Sequence, residues 1–165
     1  MRWICFPLHP ETPLEGQTLE DMFAGRGVDI PALIQRLQGV ARDLGLPFGD
    51  RKMTFNSRRA QELGKWAETQ GKGEEFHLAM FQAYFRDGLN IADLEVLAGV
   101  CRDLGLDPEQ ARRVLAEESF AAQVDEDWAY SRQVGVSAVP TFKWGEKTLV
   151  GAQPYSALAK MVEEG

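Results

Sequence analysis

Cys5 and Cys101 are the only thiols in the chain, and His9 and His77 the only imidazoles. Dithiol exchange needs two thiols one helical turn apart, as in C-x-x-C, where a helix N-terminus lowers the pKa of the first. No C-x-x-C is present. Two cysteines cannot build a disulfide framework, and with two histidines beside them they do not match the paired spacings of a structural zinc site; no metal and no cofactor is expected. Cys5 follows Trp3 and Ile4 and precedes Phe6, so it reads as a buried strand thiol, inert and with a raised pKa. Cys101 shares a helical stripe with Leu94, Leu97 and Leu104 and reads as core packing. His77, between Phe76 and Leu78, reads as a surface or core histidine of a helix rather than a base. His9 lies beside Pro10 at a strand end, where a site role is the secondary reading. Asp125-Glu126-Asp127 reads as a solvated helix face, because three adjacent residues on a helix point different ways.

The most informative segment is Gly135-Val136-Ser137-Ala138-Val139-Pro140-Thr141-Phe142. A proline at the head of a strand gives the ladder no donor. With Val139–Pro140 in cis, the turn would present the amide and carbonyl of Val139 as an unpaired edge. Such an edge can take an extended peptide or glutathione by strand addition. The plainer alternative is a trans proline opening a strand. Lys143 and Trp144 are read as hairpin surface, with a groove-lining role as the alternative.

The elements that would hold this segment follow from periodicity. Residues 1–8 read as a short strand buried on both faces, stopped by His9-Pro10-Glu11-Thr12-Pro13. A helical turn is expected at residues 19–23. From residue 30 to 134 the pattern is helical. Pro31 opens a helix with Leu33, Ile34, Leu37 and Ala41 on one face, and Gly45 ends it. Asn56 and Ser57 are N-caps for a helix carrying Ala60, Leu63, Trp66 and Ala67. Phe76, Met80, Phe81, Tyr84 and Phe85 give a wide, deeply packed face. Asn90-Ile91-Ala92-Asp93 and Asp107-Pro108-Glu109-Gln110 mark two further starts. Arg42-Asp43-Leu44-Gly45-Leu46 recurs as Arg102-Asp103-Leu104-Gly105-Leu106 and reads as one helix-ending device used twice. Residues 140–143 and 147–150 flank a turn as a hairpin. A terminal helix after Pro154 should bury Tyr155, Leu158, Ala159 and Val162.

The chain has 165 residues, long enough for one domain with its own core. Its net charge of −7 argues against a nucleic-acid surface. No apolar run reaches the roughly 18 residues of a membrane span. Sparse cysteine and the absence of a signal-peptide core after Met1 favour the cytoplasm.

Val139-Pro140-Thr141-Phe142, the hairpin, Gly151-Ala152-Gln153-Pro154-Tyr155 and a final helix resemble the C-terminal half of DsbA-type thioredoxin folds. The FrnE-like branch of DsbA-like oxidoreductases is similar in further stretches: Phe6-Pro7-Leu8-His9-Pro10-Glu11-Thr12-Pro13, Phe55-Asn56-Ser57, Gly71-Lys72-Gly73, Phe76-His77, Ala83-Tyr84-Phe85 and Asn90-Ile91-Ala92-Asp93. The resemblance implies an α/β, thioredoxin-like core with a large all-helical insertion. One domain would span residues 1–165, with core segments at about 1–20 and 135–165 and the insertion at about 30–134. It implies a substrate site at Val139, Pro140, Thr141 and Gln153. In that family an opening strand and a helix carrying the C-x-x-C precede the segment matched by residues 3–8. The expectation is that this unit is missing here, so that these residues have no dithiol chemistry to run.

Three functions are compatible with this reading. One is a FrnE-like thiol–disulfide oxidoreductase whose redox centre lies upstream. The second is a non-catalytic module that binds a peptide or glutathione. The third is a glutathione-dependent isomerase or transferase, as in the related hydroxychromene-carboxylate isomerases and kappa-class glutathione transferases, which use a serine at the same turn. A thioredoxin sheet without its first strand has a central gap, and each unmade buried backbone hydrogen bond costs about 1–3 kcal/mol. The strand at residues 3–8 would shift beside residues 141–143, or two chains would pair into a homodimer across open edges; the homodimer is the expectation.

Overall fold

The computed structural model describes residues 2–164. They form two compact units, one of residues 2–8 and 125–164, the other of His9–Val124.

The larger unit is mostly helical. Two short strands, β1 (Gln17–Thr18) and β2 (Met53–Thr54), pair antiparallel, with Gln17 opposite Thr54. Between them lie α1 (Leu19–Met22) and α2 (Ile30–Asp43), and after them α3 (Arg58–Thr69) and α4 (Gly73–Phe81). A π-helical turn, Gln82–Arg86, continues α4; α5 (Leu94–Asp103) and α6 (Pro108–Ala116) follow. The core gathers Leu63, Trp66, Ala67, Phe76, Leu97, Cys101, Ala111 and Val114 from α3 to α6.

The helix starts at Asp93 and Asp107 follow the sequence reading, and Asp29, before Pro31, supplies a further cap. Asp29 accepts from the Ala32 amide at 2.9 Å, Asp93 from Glu95 at 2.8 Å, and Asp107 from Glu109 at 2.8 Å, each saturating a first-turn donor. The start of α3 differs from expectation. Ser57 makes no capping bond there. The Asn56 side chain instead accepts from the Arg58 amide at 2.8 Å and donates to the carbonyls of Pro10 and Thr12 at 3.1 and 2.8 Å. It therefore caps the helix and ties down a distant loop.

The repeated Arg-Asp-Leu-Gly-Leu is one device used twice. Gly45 and Gly105 have φ of 68° and 77°. The Leu46 amide donates to Ala41 and the Leu106 amide to Cys101, both at 2.8 Å, while each glycine amide reaches Arg42 or Arg102. This is the Schellman closure, which needs a left-handed residue.

The expected deep apolar face of α4 is only partly buried. Phe76 and Met80 are interior, but Phe81 is 47% exposed. The π-helical turn inserts a residue after Phe81 and rotates Tyr84 and Phe85 off the line that a continuous α-helix would keep.

In the smaller unit, β3 (Thr141–Trp144) and β4 (Lys147–Val150) form a two-stranded antiparallel hairpin with Thr141 opposite Val150. Gly145, at φ 56°, supplies the first position of the two-residue turn. The Val139–Pro140 peptide bond is cis. Helix α7 (Ala121–Gln133), which belongs to this unit from Asp125 onward, precedes the hairpin and α8 (Tyr155–Glu163) follows it.

Three expectations are corrected in this unit. Residues 2–7 belong to neither sheet, so the strand expected at residues 3–8 does not form and does not pair with residues 141–143. A strand exists through its ladder partner, and this segment spends the Cys5 amide on a side chain of α7 instead. On α8 the buried residue is Met161, at 9% exposure, whereas Tyr155 is 85% and Val162 48% exposed. An apolar helix face is buried only where other elements cover it. Asp127, expected in water, is 4% exposed.

Candidate functional site

Val139, Pro140 and Thr141 form the entry to β3, and Gln153 stands just past β4. The hairpin's own bonds fix this corner. The Thr141 hydroxyl donates to the Ala138 carbonyl at 2.6 Å. The Gly151 amide donates to the Pro140 carbonyl at 2.7 Å. The Gln153 side-chain amide donates to the Val150 carbonyl at 2.7 Å, and Val150 is the register partner of Thr141. The four residues named from the sequence thus meet at one end of one hairpin. Gln153 is turned onto the hairpin itself, which makes it a brace for the corner. Val139 is 43% exposed, and among the described residues neither its amide nor its carbonyl has a hydrogen-bond partner. An exposed main-chain donor and acceptor side by side is the arrangement to which an extended strand adds. Lys143 and Trp144 lie on the exposed surface of β3.

The remaining chemistry-bearing residues are elsewhere. Cys5 is half-buried rather than fully buried, and its amide donates to Oδ2 of Asp127 at 2.9 Å. Cys101 is wholly buried in the larger unit's core, where desolvation pushes its thiol up to about 11. Neither cysteine is in a disulfide. His77 is half-buried; desolvation lowers its pKa, opposed by Glu68, whose Oε1 lies 3.5 Å from Nε2. His9 faces Glu11 at 3.7 Å. Among the described residues no group of three or more His, Cys, Asp or Glu side chains could hold a metal.

Sequence reasoning missed the role of Asp127. Val124, Asp127 and Ser131 stand three and four residues apart, and all three are buried, at 0%, 4% and 3% exposure. They make the inward stripe of α7.

Known proteins share this architecture. Uncharacterized protein YwbO of Bacillus subtilis (strain 168) is 25% identical over 100 residues, 60% of this chain and 50% of YwbO. The match therefore spans about half the length of that curated relative. A probable DsbA oxidoreductase, SCO1869 of Streptomyces coelicolor, superposes with a TM-score of 0.86 at 25% identity, over 95% of this chain and 71% of that one. A 2-hydroxychromene-2-carboxylate isomerase has the same fold at TM-score 0.69 and 21% identity, covering 82% of this chain and 64% of the isomerase. So does a putative protein disulfide isomerase of Nitrosomonas europaea, at TM-score 0.68 and 16% identity, covering 90% and 75%. The DSBA-like thioredoxin domain model matches residues 1–163. A match of that extent, with helices and hairpin in the order described, decides the family: the chain belongs to the DSBA-like thioredoxin domain family.

Proposed function

We propose that this chain is the substrate-docking part of a FrnE-like, DsbA-type thiol–disulfide oxidoreductase. In this reading the Val139 backbone aligns an extended, disulfide-bearing peptide or glutathione. The observation that carries it is the unspent amide and carbonyl of Val139, an exposed residue at a corner braced by Thr141, Gly151 and Gln153. Main-chain pairing is nearly indifferent to sequence, which suits a catalyst acting on varied disulfides. Exchange itself requires a thiolate to attack a disulfide sulfur, with the second sulfur leaving as a thiolate. The 165 residues contain no C-x-x-C for that attack, so their part is alignment. The isomerase or transferase alternative has a likeness of fold behind it.

Two further parts of the proposal are a homodimer and a cytoplasmic location. Each hairpin strand has one edge without a ladder partner among the described residues, and open edges recruit strands. A monomer by sedimentation at micromolar concentration would refute the dimer. Two cysteines outside any disulfide suit a reducing compartment.

The docking edge is tested by NMR titration with oxidised glutathione and with an extended peptide carrying a mixed disulfide. Amide shifts confined to residues 138–141 and 151–153 are expected. Val139→Ala should keep the binding, because the backbone is unchanged. Val139→Pro, which deletes the amide, should weaken it at least tenfold, with circular dichroism confirming the fold. Absence of shifts at residues 138–141 with both probes would overturn the assignment.

A further inference from the structure

The larger unit holds a cation whose surroundings the docking function does not use. Arg51 precedes β2 and is half-buried. Its guanidinium lies 4.3 Å from the ring centroid of Tyr84 and 5.5 Å from that of Phe85. Nε donates to the Met53 carbonyl at 3.2 Å, and Nη2 donates to the Tyr84 hydroxyl. That hydroxyl is also 3.0 Å from Oγ1 of Thr54, a residue only 4% exposed. No carboxylate among the described residues pairs with Arg51. The adjoining acid, Asp50, faces Lys52 at 3.7 Å, and Asp87 is bound to Arg86 at 2.7 Å.

An arginine has five N–H donors in a planar fork. Two are spent on Met53 and Tyr84, which leaves three on a partly desolvated charge. Burial costs a cation free energy that a counter-ion normally offsets, and desolvation does lower the Arg51 pKa. The aromatic faces supply part of that compensation.

The setting is also closely packed. Tyr84 and Phe85 stand on the π-helical turn, a form rare in general and frequent at functional sites. The loop before Arg51 is pressed onto that turn. The Gly49 amide donates to the Phe85 carbonyl at 2.8 Å, and a Cβ on Gly49 would come within 2.2 Å of the Arg86 carbonyl oxygen. Gln38 donates to the Gly49 carbonyl at 3.3 Å from the other side.

We propose that Arg51 and Tyr84 form a binding site for the carboxylate of a small molecule. The remaining guanidinium N–H groups match the two oxygens of a carboxylate in bidentate fashion. A planar monoanion is favoured over phosphate, because the net charge of −7 disfavours a dianion more strongly.

The test uses the full chain and sodium acetate, exchanged against sodium chloride at constant ionic strength. The Arg51 Nε–H resonance should move saturably with acetate, and the melting temperature should rise with it. Arg51→Lys keeps the charge and loses the fork, so acetate affinity should fall at least tenfold. Tyr84→Phe keeps the stacking ring and should weaken acetate several-fold. Inorganic phosphate should bind more weakly than acetate. A wild-type chain with no saturable response, equal acetate affinity in Arg51→Lys, or tighter binding of phosphate would each overturn the proposal. The wild-type titration and Tyr84→Phe decide the matter even if Arg51→Lys fails to fold.

Discussion

The backbone amide of Cys5 donates to the buried carboxylate of Asp127 at 2.9 Å, joining residues 122 positions apart in sequence. Asp127 is 4% exposed, so the bond fastens the N-terminal segment of the smaller unit to α7. Asp127→Ala should destabilise the protein by about 1–3 kcal/mol, the cost of leaving a shielded donor unmet. Asp127→Asn keeps an acceptor and should cost less. Arg2 lies 3.8 Å from the same carboxylate but its side chain is 80% exposed, so Arg2→Ala should change stability by no more than about 0.5 kcal/mol. Urea denaturation of the three variants checks the order.

Glu118 has a φ of 51°, the single left-handed non-glycine residue described. It occupies the position that Gly45 and Gly105 fill elsewhere: the Ser119 amide donates to Val114 at 3.0 Å and the Glu118 amide to Leu115 at 3.3 Å. A side chain there costs about 1–2 kcal/mol. Glu118→Gly should raise stability by about 1 kcal/mol, less the extra entropy of the unfolded glycine. A higher denaturation midpoint with an unchanged slope is the expected result.

The Cys101 thiol, raised by burial to about 11 from an ordinary 9.0, predicts an alkaline weakness. Below pH 9 the thiol is protonated whether folded or not, and stability is unaffected. Between pH 9 and 11 the unfolded chain releases the proton while the folded chain retains it, so stability falls as pH rises. Cys101→Ala should flatten this limb while lowering stability at neutral pH. The native thiol should also resist alkylation at pH 8.

His77 gives an acid limb of the opposite origin. Desolvation lowers its pKa below 6.5, with Glu68 opposing. Below that value the unfolded chain takes up the proton more readily than the folded one, so stability is complete above it and falls with decreasing pH. Thermal melts of the wild type and His77→Gln across pH 5–7 should differ most at the acid end.

The 165-residue chain should reduce insulin no faster than background, since no C-x-x-C is present and neither cysteine forms a disulfide. Turnover abolished by Cys5→Ser would make Cys5 a nucleophile and overturn this expectation.

Local devices were legible in the sequence because their causes are local. Asp93 and Asp107 cap helices through bonds to amides two or three residues on. The two Arg-Asp-Leu-Gly-Leu segments close helices through bonds within six residues, and the hairpin follows from alternation around Gly145. Position along the chain was enough to bring Val139, Pro140, Thr141 and Gln153 to one corner, because the register of a short hairpin leaves little freedom. Tertiary structure decided the rest. Residues 2–7 have the composition of a strand but pair with neither sheet, since a ladder depends on a partner that composition does not specify. Asp127 is buried because a backbone amide from the far end of the chain meets it, and no charge pattern within α7 announces that donor. The stacking of Arg51 on Tyr84 likewise depends on a π-helical turn and on the close approach of Gly49, neither of which has a short-range signature in the sequence.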